Sequence, residues 1–182
     1  PHLAVDPGAG THDADYVLYA GRLSEEKGVR VLIEAWRHVP DDMRLRILGD
    51  GPLREEFSEL ATNEGIADRV HFAGFQPNHS AIIRRANMLV LSSRYEGFGT
   101  VLVEALACGV PVVSTDCDFG PSEILRGARF GSLVPVDDVA ALAHAMVATL
   151  SDAPDRAALR ARARDFEPAR IARAYAALWA SP

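Results

Sequence analysis

Cysteine is scarce: the chain of 182 residues has two, Cys108 and Cys117. Without a Cys-x-x-Cys or a Cys/His spacing, a disulfide framework and a structural zinc site are excluded, and two reduced thiols in an intracellular core are expected. Long apolar runs are also missing. No stretch approaches the roughly 18–20 uninterrupted apolar residues of a membrane-spanning helix, so none is expected. There is no basic excess either: 19 Lys+Arg stand against 25 Asp+Glu, a formal net charge of −6. That balance argues against a nucleic-acid partner, whose phosphates would have to be neutralised by cations. It leaves room for a local cationic site, because net charge says nothing of where the cations converge. Pro1 to Gly10 has no basic segment followed by an apolar one, so no secretory signal is expected and the stretch reads as an irregular lead-in.

Several catalytic patterns are absent as well. No Gly-x-Ser-x-Gly provides a nucleophile elbow. The six histidines show no paired ligand spacing. Asp116 and Asp118 have only Glu123 as a nearby third acid, so no metal site is expected there. Gly8-Ala9-Gly10 precedes the first strand instead of following it, and so fails as a dinucleotide fingerprint.

What is present is an alternation. Continuous apolar runs at Tyr16–Ala20, Leu45–Leu48, Val70–Ala73, Met88–Leu91, Val110–Ser114 and Ser132–Val136 read as strands buried on both faces. Between them lie stretches of helical spacing: Val29/Leu32/Ile33/Trp36, Leu53/Phe57/Leu60/Ala61, Ile82/Ile83/Ala86 and Val101/Leu102/Ala105/Leu106. Boundary signals agree. Pro52 is expected in a first helical turn, Gly65 and Gly109 at helix C-caps, and Asp137-Asp138 at an N-cap. The expected fold is α/β: a Rossmann-like doubly wound parallel sheet of about six strands with helices on both faces. Glu167-Pro168 opens a last helix with Ile171, Tyr175, Leu178 and Trp179 on one stripe. Two readings of that stripe stand: packing on this domain's own core, or a surface for another domain.

In such sheets ligands bind outside the carboxyl ends of the strands, so the loops there carry the function. The first strand leads into Gly21-Arg22-Leu23-Ser24-Glu25-Glu26-Lys27-Gly28, which places two cations in one loop before a helix. That suits a diphosphate, although solvated loop cations would look the same. The second leads into Gly49-Asp50-Gly51-Pro52, either a close approach to a ligand or simply a tight turn. The fourth leads into Glu96-Gly97-Phe98-Gly99-Thr100, then a helix with Val101 and Glu104. Glycines feeding a helix N-terminus favour phosphate or sugar oxygens, and carboxylates accept hydrogen bonds from sugar hydroxyls. The alternative is a surface Glu and a core-edge Glu.

Taken together, Gly21-Arg22-Leu23-x-x-x-Lys27-Gly28, Gly49-x-Gly51-Pro52-Leu53, Val70-x-Phe72-x-Gly74-Phe75, Glu96-Gly97-Phe98-Gly99-x-x-x-x-Glu104-Ala105 and Cys108-Gly109-Val110-Pro111-Val112-Val113 resemble the family four (group 1) retaining glycosyltransferases. The resemblance is to their carboxy-terminal, nucleotide-sugar-binding half and runs from about Asp15 to Leu178, with the motifs in the family's order. It implies the C-terminal half of a GT-B fold. Residues 1–14 would be residual interdomain linker, and 15–182 a donor-binding domain with a crossing helix at about 168–180.

The resemblance also implies roles. Arg22 and Lys27 would hold the donor diphosphate and, with Glu96 on the donor sugar's hydroxyls, form the catalytic set. Gly21, Gly97, Phe98, Gly99, Thr100 and Val101 would meet the donor, Glu104 its ribose, and Phe75 and Gln76 its base. The reaction implied is sugar transfer with retention from a nucleotide diphosphate sugar, in polysaccharide or cell-envelope glycan synthesis. No cofactor and no metal are implied, because the two cations take the metal's place.

The partners implied are the nucleotide sugar and the family's acceptor-binding N-terminal domain, which these residues lack. Little activity is expected without that domain. The expected location is cytoplasmic, with peripheral association at the inner face of the membrane left to the missing half. A non-catalytic nucleotide-binding subunit that completes a split transferase is the alternative. A glycosyl phosphorylase or an epimerase on a related fold should show a cofactor lysine or a different acid pattern, and neither is evident.

Overall fold

Strands that are apolar at every position need cover on both faces, and helices supply it. The structure, a computed structural model, describes residues 16–152 and 154–180, with last-helix side chains described only at 168–173, 176 and 179. The linker expected at 1–14 and the side chains of Tyr175 and Leu178 lie outside the described residues. Six parallel strands, Tyr16–Ala20 (β1), Arg44–Leu48 (β2), Val70–Gly74 (β3), Met88–Leu91 (β4), Val112–Thr115 (β5) and Ser132–Val134 (β6), stand in the order β3-β2-β1-β4-β5-β6. The helices are Val29–Trp36 (α1), Arg54–Asn63 (α2), His79–Arg85 (α3), Thr100–Cys108 (α4), Pro121–Leu125 (α5), Val139–Ser151 (α6), Arg156–Ala163 (α7) and Pro168–Ala180 (α8).

The sheet separates two cores. On one face Val17, Tyr19, Leu45, Ile47, Met88 and Val90 meet α1, α2 and α6 through Leu32, Trp36, Phe57 and Leu142. On the other, Leu18, Leu48, Leu89, Leu91 and Val112 meet α3, α4, α5 and α7 through Ile83, Leu102, Leu106, Ile124 and Leu159. Each fully buried aliphatic side chain contributes about 1.5–3 kcal/mol, against about 0–1 kcal/mol for an exposed ion pair. The fold is therefore held by these two layers, and the surface charges can be spent on other tasks. No helix among the described residues is long and apolar enough to cross a membrane.

Three expected boundaries move by two residues, each for a local reason. β5 begins at Val112, because Val110 donates its N–H back to Ala105 at 2.9 Å to close α4, and Pro111 has no N–H to give a ladder. β6 stops at Val134, one residue short of Pro135. Pro52 lies ahead of α2 and not in its first turn: Leu53 N–H is drawn to Leu23 O at 3.2 Å, and the helix starts at Arg54. The other signals hold. Gly65 and Gly109 follow their helices in left-handed backbone, and the Asp138 carboxylate accepts the Ala141 N–H at 2.8 Å. On α8, Ile171 is partly exposed and Trp179 is 88% exposed, so the described part of that stripe is not buried in this domain's core.

A buried guanidinium ties the second layer together. Arg162 of α7 donates to Ile124 O at 2.9 Å and Glu123 O at 2.7 Å at the end of α5, where Glu123 O also accepts the Arg126 N–H at 3.3 Å. It also pairs with Asp165 at 2.7 Å and lies 4.5 Å from the Phe166 ring centroid. That bond from Arg162 holds the Asp165 carboxyl below its ordinary pKa, and Arg170 and Arg126 reinforce the effect. Arg162→Ala removes the side-chain donor to the Ile124 carbonyl and one of the three arginines on Asp165, and should cost about 1–3 kcal/mol in urea unfolding. Because the Asp165 pKa is depressed on folding, its stabilisation is full above the unfolded-state value and lost as pH falls through the folded one. Asp165→Asn should therefore be less stable at neutral pH and show a flatter acid limb in an unfolding series.

Candidate functional site

β1 and β4 are neighbours in the sheet although two strand–helix units separate them in sequence, so their following loops part in opposite directions and leave a crevice. On the β1 side the ladder continues past the strand ends. Gly21 donates to Leu48 O at 3.0 Å, Leu23 to Asp50 O at 3.0 Å, and Gly49 to Gly74 O at 2.9 Å. Backbones this close exclude side chains: a Cβ on Gly49 would stand 1.9 Å from Gly21 O, and one on Gly51 2.2 Å from Leu23 O. A Cβ on Gly21 would meet the Tyr19 phenol at 2.7 Å. At Gly49 and Gly51 the close neighbour is the backbone of the loop after β1, whereas at Gly21 it is the Tyr19 ring.

Beneath this loop Tyr19 is fully buried, its hydroxyl donating to Arg22 O at 3.2 Å. Burial, with Glu96 and Glu26 nearby, pushes the phenol's pKa far up, so it stays a neutral donor. The Arg22 side chain is exposed, with no carboxylate in ion-pair contact among the described residues.

The β4 side is built around a buried acid. Glu96 is 9% exposed, and its Oε1 accepts from both Lys27 Nζ and Ser93 Oγ at 2.7 Å. Ser92 Oγ donates to Lys27 O at 3.0 Å, and Glu26 O accepts the N–H groups of Arg94 and Tyr95. Arg94 completes the brace through Glu25 at 3.0 Å and Asp137 at 2.7 Å, and those carboxylates raise the pKa of its guanidinium. The Ser24 hydroxyl donates to Glu26 at 2.6 Å and lowers that carboxyl's pKa. Gly99, at φ 83, turns the chain into α4, and as a glycine it gives that N-terminus no side-chain cap.

Between the two sides lies a cleft of about 640 Å³ lined by Ala20, Gly21, Arg22, Leu48, Asp50, Phe75, Gln76, His79, Thr100, Val101 and Glu104. Of the candidates read from sequence, Gly21, Arg22, Phe75, Gln76, Thr100, Val101 and Glu104 line it together. Lys27, Glu96, Gly97, Phe98 and Gly99 are not in its wall; Glu96 to Gly99 form the adjoining turn, to which Lys27 is paired, with Gly97 and Phe98 exposed. Phe75 is 76% exposed, and Gln76 Nε2 donates to Ala73 O at 2.9 Å.

Sequence reading missed His79, which opens α3 and sits with Nε2 2.9 Å from Glu104 Oε2. It also missed Ser93. Nothing in the order of residues marks His79, because its partner is on another helix. Ser93 was legible in principle, lying three residues before Glu96 in a loop already singled out.

The sequence profile described as glycosyl transferases group 1 matches residues 8–166. The chain belongs to the group 1 glycosyltransferases. It is 36% identical to the lipopolysaccharide core biosynthesis glycosyltransferase LpsE of Rhizobium meliloti, over 93% of this chain and 51% of that protein. It is 33% identical to a Campylobacter jejuni N-acetylgalactosaminyltransferase acting on a diphospho-undecaprenol, over 87% of this chain and 44% of that one. Among solved structures, Anabaena HepE in complex with UDP and glucose superposes with a TM-score of 0.84 at 26% identity, covering 92% of this chain and 48% of that one. This group 1 glycosyltransferase chain thus spans about half the length of the relatives it matches, and it is a carboxy-terminal GT-B domain.

The glycine contacts make one clear prediction. Gly49→Ala would need a Cβ 1.9 Å from Gly21 O at φ 125, so it should destabilise the domain by about 3 kcal/mol or more in thermal unfolding. Gly97→Ala, where nothing lies within 4 Å, should change stability little.

Proposed function

We propose that this chain is the donor-binding domain of a retaining glycosyltransferase that moves a sugar from a nucleotide diphosphate sugar to an acceptor in polysaccharide or cell-envelope glycan synthesis. The observation that carries the reading is the convergence of Arg22, the uncapped N-terminus of α4 and Glu104 in one cleft, beside the Lys27–Glu96 pair. The nucleotide diphosphate named for Anabaena HepE and the lipopolysaccharide and colanic acid roles named for relatives support it.

In this reading the diphosphate lies between the Arg22 guanidinium and the amides of Thr100 and Val101, with Lys27 adding a second cation. When the bond from the sugar's C1 to the diphosphate oxygen breaks, its electron pair stays on that oxygen. Preorganised cations and dipoles then stabilise the charge more in the transition state than in the ground state, and no metal is required. Glu96, pinned through Oε1, offers its other oxygen to the donor sugar's hydroxyls. Being held by a lysine and a serine through one oxygen suits it to orient the sugar instead of attacking it. Glu104 takes the ribose, and Phe75 and Gln76 flank the base beside Leu48 and Ala20. The acceptor belongs to an N-terminal domain not among these 182 residues, so transfer requires that half.

Calorimetric titration with UDP, GDP and ADP, the corresponding nucleosides and nucleotide sugars tests the reading. Arg22→Ala and Lys27→Ala should each weaken diphosphate binding about 10–100-fold and leave nucleoside binding nearly unchanged. Glu96→Ala should weaken the nucleotide sugar more than the free diphosphate. Absence of any nucleotide binding, or neutral Arg22 and Lys27 variants, would overturn the assignment. The 182-residue chain alone should bind donor with little or no transfer, and robust turnover would refute that part.

A further inference from the structure

Glu104 stands in the second turn of α4, where its side chain has three rotatable bonds and keeps about a fifth of its surface open to the cleft. Such a carboxylate spreads over several rotamers unless something holds it. The holder is His79, the first residue of α3, whose Nε2 lies 2.9 Å from Glu104 Oε2. Both side chains line the same cleft, together with Arg22 and Gln76. His79 reaches it because the chain leaves β3 at Gly74, in left-handed backbone, and crosses the cleft mouth through Phe75 and Gln76 before α3 begins. α3 then packs on α4, with Ile83, Leu102 and Leu106 in one core layer, which fixes the spacing of the two helices.

We infer that His79 is a positioning residue for ribose recognition: it selects the rotamer of Glu104 in which the carboxylate faces the ribose hydroxyls of the donor. This rests on the donor-binding reading above. His79 gives one N–H to Oε2, so Glu104 keeps its remaining acceptor sites for hydroxyl donors, and the ordering cost is met before the ligand arrives. The pair, not the acid alone, then discriminates a ribonucleotide from one lacking its hydroxyls. Discrimination of this kind is strong because an absent hydroxyl leaves a desolvated carboxylate without its partner.

The test measures affinities for UDP, GDP and ADP and for their 2′,3′-dideoxy counterparts with wild type, His79→Ala, His79→Gln, Glu104→Ala and the double alanine variant, each first checked for an unchanged melting temperature. His79→Ala should weaken the tightest ribonucleotide about tenfold, the equivalent of one charge-assisted hydrogen bond, and leave its dideoxy form unchanged. His79→Gln, which keeps an N–H donor, should recover most of the loss. The double variant should be no weaker than Glu104→Ala, because His79 acts only through the acid. Equal losses for ribo and dideoxy ligands, additive losses in the double variant, or a neutral His79→Ala would overturn the inference while leaving donor binding intact. A wild type that binds none of the three diphosphates overturns the donor-binding reading and this one with it.

Discussion

The ion pair between Lys27 and Glu96 joins the two loops that the strand order drives apart. Lys27 ends the loop after β1 and Glu96 heads the turn after β4, so the pair ties those two loops together beside the crevice. Removing a carboxylate from water costs several kcal/mol unless its lone pairs are used. Here two donors at 2.7 Å, one charged and one neutral, converge on a single oxygen. The pair by itself adds modestly to stability. Its larger effect is geometric: it sets where Arg22, five residues upstream of Lys27, and the α4 N-terminus, four residues downstream of Glu96, can stand.

Around that pair the molecule separates its tasks cleanly. The two apolar layers supply the stability, so the carboxyl edge of the sheet can keep exposed cations, uncapped amides and open glycine turns that a marginal fold could not tolerate. Polar ties that are structural, such as Arg162 under α5 and Arg69 bonded to Val39 O and Pro40 O at 2.8 Å, lie away from the cleft. Each ties loop or helix-end carbonyls of one element to a side chain of another.

Much of this was legible in the order of residues, for reasons that can be named. Strands covered on both faces write themselves as unbroken apolar runs, so β1 and β4 have the ends that the pattern gave. Where a proline or a helix cap competes for the same residues, as at Val110-Pro111, the run overstates the strand. The site's cations and acids were found because strand-end loops are few and their chemistry is concentrated. The glycines kept two readings, because a residue without Cβ looks the same in sequence whether it accommodates a ligand or another loop. His79 escaped because it and Glu104 meet only through the packing of α3 on α4, and no single-sequence period encodes that contact.

The strand order carries a consequence for how the chain reaches this state. β1, β2 and β3 are joined by successive crossovers, whereas β4 must travel back past both of them to pair Met88 with Val17. Such long-range closure is slow relative to the local pairings, and the crevice does not exist until it happens. A chain arrested with only its first three strands formed therefore offers no cleft to occupy. Whatever fills the cleft binds the completed sheet alone and draws the folding equilibrium toward it, by about 2.7 kcal/mol at a hundredfold excess over its dissociation constant.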